Sequence, residues 1–562
     1  MPLIDSRLAL YGFLALIAIV VLSGHHSIPA MDRDESRFAQ ASRQMQSSGD
    51  FVAVKLQDDL RAKKPIGIYW LQAGFATLVG PDLIASYRFV NLLALLGAVF
   101  IIYYWAVPLY DQRSALASAM IFGGSFLVLG EAHLAKTDTV LMFFAVLQQW
   151  SLYKVFASDK SSEKTSASAW FWFWSSMAAG ILTKGPVLPI LAVLTILTLS
   201  FWHRNFFWLK PLKPFYGMTL LLLICLPWFV LVSVETKGAF LNAAIHGDFF
   251  SKITSAQESH GAPPGSYLLI LWLMLWPASP LLVNLLVDFR KLLSQRNTQF
   301  LVASVFPFWI MMELVPTKLP HYILPVLPFL ALLLAGRIVQ KEELPPLSRS
   351  ALMLHWPGYL AIFAKYFGVA AGFIFVFVAI WGVQRFGGQE SRSAMTFAFL
   401  MFLLACFTMW YGHLWIKEVL WKPFFIMITS GVMLHFSFFS GVLPNLSEIH
   451  VSRAIADKIA SLPNKPSALA AAGYHEPSLV FNLGKDLLLL NGREAALFLV
   501  EAPGGMAIVE KRQKDVFLEV AKKLGVRLSK PFEIKGFNIS KGQNTNISLY
   551  QAEMFDARAS KE

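Results

Sequence analysis

Residues 8–22 read LALYGFLALIAIVVL, a run without a single charge, and residues 23–81 that follow are largely polar. So short a run suits either a signal-peptide core or the centre of a retained membrane helix. Only Arg7 and Asp5 flank it on the N-terminal side and no small-x-small cleavage site follows, so a retained first helix is expected. Working outward, apolar runs meeting the roughly 20-residue length of a bilayer-crossing helix start near Leu8, Ser86, Ala115, Thr139, Ala169, Val187, Phe215, Tyr267, Phe300, His321, Phe363, Ala394 and Phe424. That is a polytopic α-helical membrane protein of about thirteen spans.

Composition supports this reading. Of 562 residues, 56% are hydrophobic and 15% charged, against roughly 25% charged in an ordinary soluble protein. A soluble enzyme or a disordered chain is excluded. The charge is also uneven: 29 charged residues lie among the 121 from Val442 to Glu562, and 54 among the 441 before them. The sequence therefore divides into a membrane domain, 1–441, with a long loop at 23–81, and a soluble domain, 442–562. The net charge of +13 does not imply nucleic acid, because Lys and Arg accumulate in the cytoplasmic loops of membrane proteins. Cys225 and Cys406 both sit in apolar runs, and the soluble part has no cysteine for a disulfide or a zinc motif.

With the N-terminus in the cytoplasm, the short inner loops hold Arg113, Lys154, Lys160, Lys164, Arg204, Lys210, Lys213, Arg290, Lys291, Arg296, Arg337, Lys341, Arg349, Lys417 and Lys422. The outer loops hold fewer cations, so the positive-inside rule favours this orientation. An odd number of spans then places the soluble domain outside, which in a bacterium is the periplasm.

The charges left on the outer side need an account. Asp32-Arg33-Asp34-Glu35-Ser36-Arg37 begins like a capped helix, with Asp32 and Glu35 spaced as a capping box. Phe38, Ala41 and Met45 form an apolar stripe suited to a membrane surface, and Asp34 and Arg37 stand one turn apart. A solvated interfacial helix and a catalytic loop both fit that spacing. Lys63-Lys64-Pro65-Ile66-Gly67-Ile68-Tyr69-Trp70 suits interface anchoring or phosphate binding. Ala135-Lys136-Thr137-Asp138 could be a helix cap and nothing more. Thr183-Lys184-Gly185-Pro186 is a tight outer turn. Lys318 and His321 stand between prolines at bilayer depth, where ionisable groups are expensive and mark function. All these charges gather on one side of the membrane. There a membrane-bound phospho-donor is available and nucleotide sugars are not.

Taken in order, Asp34–Ala41, Gly49-Asp50-Phe51, Lys64–Leu71, Ala135–Leu141, Thr183–Pro186 and Lys318–Pro325 resemble segments of the bacterial aminoarabinose transferase-like family. These are protein-mannosyltransferase-like, GT-C-fold, polyprenyl-phosphate-dependent glycosyltransferases. The resemblance covers roughly residues 30–335. It implies transfer of a sugar from an undecaprenyl-type phosphate donor to lipid A, lipopolysaccharide or a related acceptor at the periplasmic face of the inner membrane, with inversion. Asp34 and Asp138 would be the catalytic carboxylates. Arg37, Lys64, Tyr69, Lys184, Lys318, His321 and Tyr322 would bind substrate. Transfer to a protein hydroxyl is an alternative within the same fold. A lipid flippase or transporter is the rival from another class, but it would favour internal repeats and midplane charges, and neither is evident. The family often has an acidic residue before the Lys-Pro pair and a Glu-His in a later loop that can share a metal. Here those places are Lys63 and Ile245-His246-Gly247-Asp248-Phe249. No metal or other cofactor is therefore expected, and His246 reads as an ordinary polar residue.

The soluble domain reads as a small α/β unit. Helices are expected over 448–462 and 515–524, strands over 467–472 and 505–510, and a hairpin over 532–551 around Lys541-Gly542. No catalytic constellation stands out in it, so a cap or acceptor platform is expected.

Overall fold

The computed structural model describes residues 6–158, 163–243, 261–286, 293–343, 356–418 and 420–552. The opening apolar run lies within helix α1 (Ser6–Ser27). The polar stretch after it carries α2 (Asp34–Ser48), a two-stranded ribbon β1 (Lys55–Leu56) and β2 (Asp59–Leu60), and α3 (Gly67–Val79). Then come α4 (Ile84–Ala106), the bent pair α5 (Gln112–Gly123) and α6 (Phe126–Ala132), α7 (Asp138–Ala157), α8 (Glu163–Lys184), α9 (Val187–His203) and α10 (Pro214–Glu235).

Among the described residues, eight helical segments are long and apolar enough to cross a bilayer, or nine if the 59° bend between α5 and α6 interrupts one span. Helix α9 is shorter and apolar. The apolar run expected at Tyr267 is broken into a helix at Ser266–Met274, a 3-10 turn and a helix at Leu282–Leu286. Buried faces of α1, α4, α5 and α7 and of the later helices share one large apolar core.

Two glycines allow the close approaches that matter for the site. A Cβ on Gly67, the first residue of α3, would lie 2.8 Å from the Leu182 carbonyl oxygen of α8. The Lys64-Pro65-Ile66-Gly67 segment is thereby held against the end of α8 that carries Lys184. Gly185 then turns the chain with φ 71°, a left-handed conformation natural to glycine.

The C-terminal part is a five-stranded sheet in the order β4-β3-β5-β7-β6: β3 (Leu469–Ala472), β4 (Leu488–Leu490), β5 (Met506–Glu510), β6 (Phe532–Asn538) and β7 (Gln543–Gln551). β3 pairs parallel with β4 and β5, and β7 pairs antiparallel with β5 and β6. Side chains alternate between the faces of a strand. Ala471, Ile508, Ile547 and Leu549 pack on one face against helices Val451–Ala460 and Pro477–Leu483. Ala470, Ala472, Ala507, Val509 and Tyr550 pack on the other against Gly492–Glu501 and Lys511–Lys523. The helices at 477–483 and 492–501 and strand β4 lie outside the elements expected from sequence. The second helix has a local signal all the same, a capping box of Asn491 with Glu494.

Two local expectations need correction. The residue before α2 is Arg33, at φ 64°, and no side chain caps the helix. Asp32 instead accepts hydrogen bonds from Ser478 of the C-terminal sheet unit, and Glu35 accepts from the Met31 amide at 2.9 Å. The stripe of Phe38, Ala41 and Met45 does not face lipid either. It is buried against Val54, Ile66, Ile68 and Tyr69, because the loop folds back as a second layer over the bundle end.

Candidate active site

The site is assembled around the short segment Leu134–Asp138, between α6 and α7. Its peptide groups are fixed from three directions. The Ala135 amide donates to Glu35 Oε1 at 2.8 Å, and the Ala135 carbonyl accepts from Gln72 Nε2 at 3.1 Å. Asn91 Nδ2 donates to the carbonyls of Leu134 and, at 3.1 Å, Lys136. Gln72 in turn accepts from Ser42 of α2 at 2.8 Å. The segment bearing Asp138 and the helix bearing Asp34 are therefore built on one polar frame.

At the centre of that frame is a buried ion pair. Arg88 of α4 donates Nε and Nη2 to the two oxygens of Glu35, each at 2.8 Å, and Nη1 and Nη2 to the carbonyls of His25, Ile28 and Pro29. Both side chains are excluded from solvent. Bidentate Arg–carboxylate geometry fixes direction as well as charge. Arg88 was not singled out from sequence, and Glu35 was read there only as a capping-box partner. An arginine within an apolar span, here four residues after the span begins, is the signal that was available.

Beside the frame lies a cluster of ionised groups. Lys184, at the end of α8, pairs with Asp138. Lys136 Nζ lies 2.9 Å from Glu131, and His321 Nδ1 lies 3.7 Å from the same carboxylate. The Lys184 ammonium stands 5.3 Å from the Tyr322 ring centre. Glu131 also escaped the sequence reading, although an acidic group closing the apolar helix α6 is another charge at bilayer depth. Burial works against the Lys136 ammonium, but Glu131, Asp138 and Asp34 outweigh it and hold its pKa above the usual lysine value. Asp34 thus acts electrostatically on the same cluster.

Asp34 differs from the rest. Its side chain is 59% exposed and meets Arg37 at 3.8 Å, whereas the Asp138 side chain is 6% exposed. The structure therefore brings Asp138, Lys184, His321 and Tyr322 together, with Asp34 and Arg37 at the rim. Lys64 is half-buried just before α3. Lys318 donates to the Val315 carbonyl at 2.6 Å. Tyr69 departs from the expected substrate contact: it is fully buried, packs on Phe38, and its hydroxyl accepts from Arg61 Nε at 3.0 Å.

Glu131, Asp138 and His321 have donor atoms within 4.8 Å of one another, a spacing compatible with a metal ion. The charges do not fit one. Each carboxylate already carries a lysine ammonium, Lys136 on Glu131 and Lys184 on Asp138, so a divalent cation would enter a site with no net negative charge to stabilise it. His246, expected to be an ordinary polar residue, lies outside the described residues.

Fold and site together define a multi-pass membrane protein with a buried, ion-paired cluster at one end of its helical bundle. Residues 63–231 match the dolichyl-phosphate-mannose-protein mannosyltransferase family. Over 333 residues the chain is 28% identical to an undecaprenyl phosphate-alpha-4-amino-4-deoxy-L-arabinose arabinosyl transferase of Pseudomonas aeruginosa, covering 58% of this chain and 59% of that one. The same-named protein of Edwardsiella ictaluri is 27% identical over 393 residues, covering 67% and 68%. The first of these alignments thus spans about three fifths of the curated relative. The crystal structure of ArnT from Cupriavidus metallidurans bound to undecaprenyl phosphate superposes with a TM-score of 0.73 at 17% identity, covering 96% of this chain and 97% of that one. The chain is thus similar to these transferases over part of its length and shares the fold of the Cupriavidus structure.

Proposed function

We propose that this chain is an integral-membrane glycosyltransferase that moves a sugar from a polyprenyl (undecaprenyl) phosphate donor to lipid A, lipopolysaccharide or a related acceptor. It would work at the periplasmic face of a bacterial inner membrane. Residues 1–441 form the membrane domain, with about thirteen spans and the N-terminus inside, and residues 442–562 form a periplasmic domain. The observation that carries the reading is the contrast between its acidic groups. Asp34 is open to solvent, while Asp138 and Glu131 are buried and neutralised by lysines.

Transfer from a sugar phosphate breaks the anomeric C–O bond and leaves a phosphate. Cations that stabilise the departing anion lower the barrier. Arg37, Lys64 and Lys184 supply that charge, with Lys318, His321 and Tyr322 on the donor side. Asp34 accepts the proton of an acceptor hydroxyl as that oxygen attacks the anomeric carbon. For a phosphate acceptor, already ionised, it orients the nucleophile. Asp138 keeps Lys184 in place until the donor phosphate takes over that ammonium. Attack opposite the leaving group inverts the anomeric centre.

The reading is tested by incubating purified protein with a polyprenyl-phosphate sugar and lipid A. Mass spectrometry of the product and NMR of its anomeric linkage should show one added sugar with inverted configuration. Protein that binds donor but adds no sugar to lipid A, lipopolysaccharide or a protein hydroxyl would contradict it.

A further inference from the structure

The C-terminal sheet unit is joined to α2 by specific contacts. Its short helix Pro477–Leu483 lies on α2, and Phe481 leaves its own domain. Phe481 is buried in a cluster with Ala39 of α2, Ala76 of α3, Tyr87 of α4 and Ala135. Its ring meets the edge of Tyr87 at 6.0 Å, and the Arg43 guanidinium stacks over it at 4.6 Å. Arg43 Nη2 also donates to the Phe481 carbonyl at 2.7 Å. One turn earlier, Ser478 donates through Oγ to Asp32, two residues before Asp34, and through its amide to the same oxygen at 3.4 Å. Ser478 Oγ is joined at 2.6 Å to Ser452 Oγ, which lies 3.2 Å from the Tyr474 hydroxyl.

Phe481 of the C-terminal unit thus stacks beneath Arg43 of α2, the helix that begins at Asp34, and shares one buried cluster with Ala135, three residues before Asp138. We propose that Phe481 and Ser478 are positioning residues for sugar transfer: docked, the helix at 477–483 sets the distance between Asp34 and the Lys136–Asp138 segment. This rests on the proposed transfer reaction. Displacing a catalytic group by about 1 Å costs up to roughly 100-fold in rate, so a contact outside the cluster can control the chemical step.

The test uses full-length protein with Phe481→Ala, Phe481→Leu and Ser478→Ala. Each is assayed for kcat and donor KM and for amide hydrogen exchange over residues 32–40. We expect Phe481→Ala to lower kcat about 10- to 100-fold with donor KM within about twofold, a pattern of lost transition-state interaction rather than lost binding. Exchange over 32–40 should rise, and Phe481→Leu should restore most of the rate. If Phe481→Ala fails to fold, the milder Ser478→Ala decides, with an expected kcat fall of about three- to tenfold by the same misplacement argument and the same rise in exchange. Unchanged kcat in a folded variant whose 32–40 exchange has risen would overturn the proposal, as would unchanged exchange. Wild-type protein that transfers no sugar would instead defeat the reaction reading, and the exchange data would still decide whether the helix fixes α2.

Discussion

The two aspartates of the site have opposite surroundings. Asp138 is buried and bound to Lys184, beside a second pair of Glu131 with Lys136. Asp34 is exposed and reaches only Arg37, at 3.8 Å. A carboxylate held by a desolvated ammonium is a poor proton acceptor, whereas one at the rim can meet an incoming acceptor. On the proposed reaction the difference becomes a division of labour: Asp138 would organise positive charge, and Asp34 would face the nucleophile. Beneath both lies the Glu35–Arg88 pair, which holds the two segments in register.

The comparison can be broken at its base first. Arg88→Met would leave Glu35 buried without a counter-charge, which costs about 3–5 kcal/mol. Thermal unfolding in detergent should show a large fall, and Asp34 and Asp138 should lose their activity together. A variant with wild-type stability would mean that the pair does not hold the frame.

Lys184→Met tests the buried aspartate. It should destabilise the chain by about 1–3 kcal/mol through the stranded carboxylate, and adding Asp138→Asn should recover part of that loss. If the two losses simply add, the pair is not coupled. Donor KM should rise in both variants, because Lys184 is assigned to the phosphate.

The smallest effect concerns pH. Burial pushes the Asp32 carboxyl up from 3.8 to about 6, and the Glu476 carboxylate adds to this, while the Ser478 hydrogen bonds and Arg37 pull back. The docked form therefore binds the proton more tightly than the undocked one. Docking of the C-terminal unit is strongest below about pH 4, weakens as pH rises through about 6, and is level above that. Protection of residues 32–40 from hydrogen exchange should follow this course, and Asp32→Asn should flatten it. An unchanged profile in that variant would assign the dependence to another group.

Much of this architecture can be read from the sequence, because its signals are local. Apolar runs locate the helices, and the charges that depart from them mark one end of the bundle. Asp34, Asp138, Lys184 and His321 stand out for that reason. What remained hidden depends on contacts between distant residues. Nothing near Glu35 announces Arg88, 53 positions away, and nothing in an apolar helix of a soluble domain announces that Phe481 shares a buried cluster with Ala39, Tyr87 and Ala135. The pairing of Asp32 and Glu35 as a capping box failed for the same reason: Ser478 competes for Asp32 from a different domain. The apolar stripe on α2, expected on the membrane surface, is instead buried against α3 and the residues around the ribbon.

The central claim is that the exposed aspartate is the one that meets the acceptor. Single-turnover transfer from a polyprenyl-phosphate sugar should fall about 100-fold or more in Asp34→Asn, with unchanged donor binding and an unchanged melting temperature. A rate within about threefold of wild type, well short of what loss of a general base removes, would contradict the account.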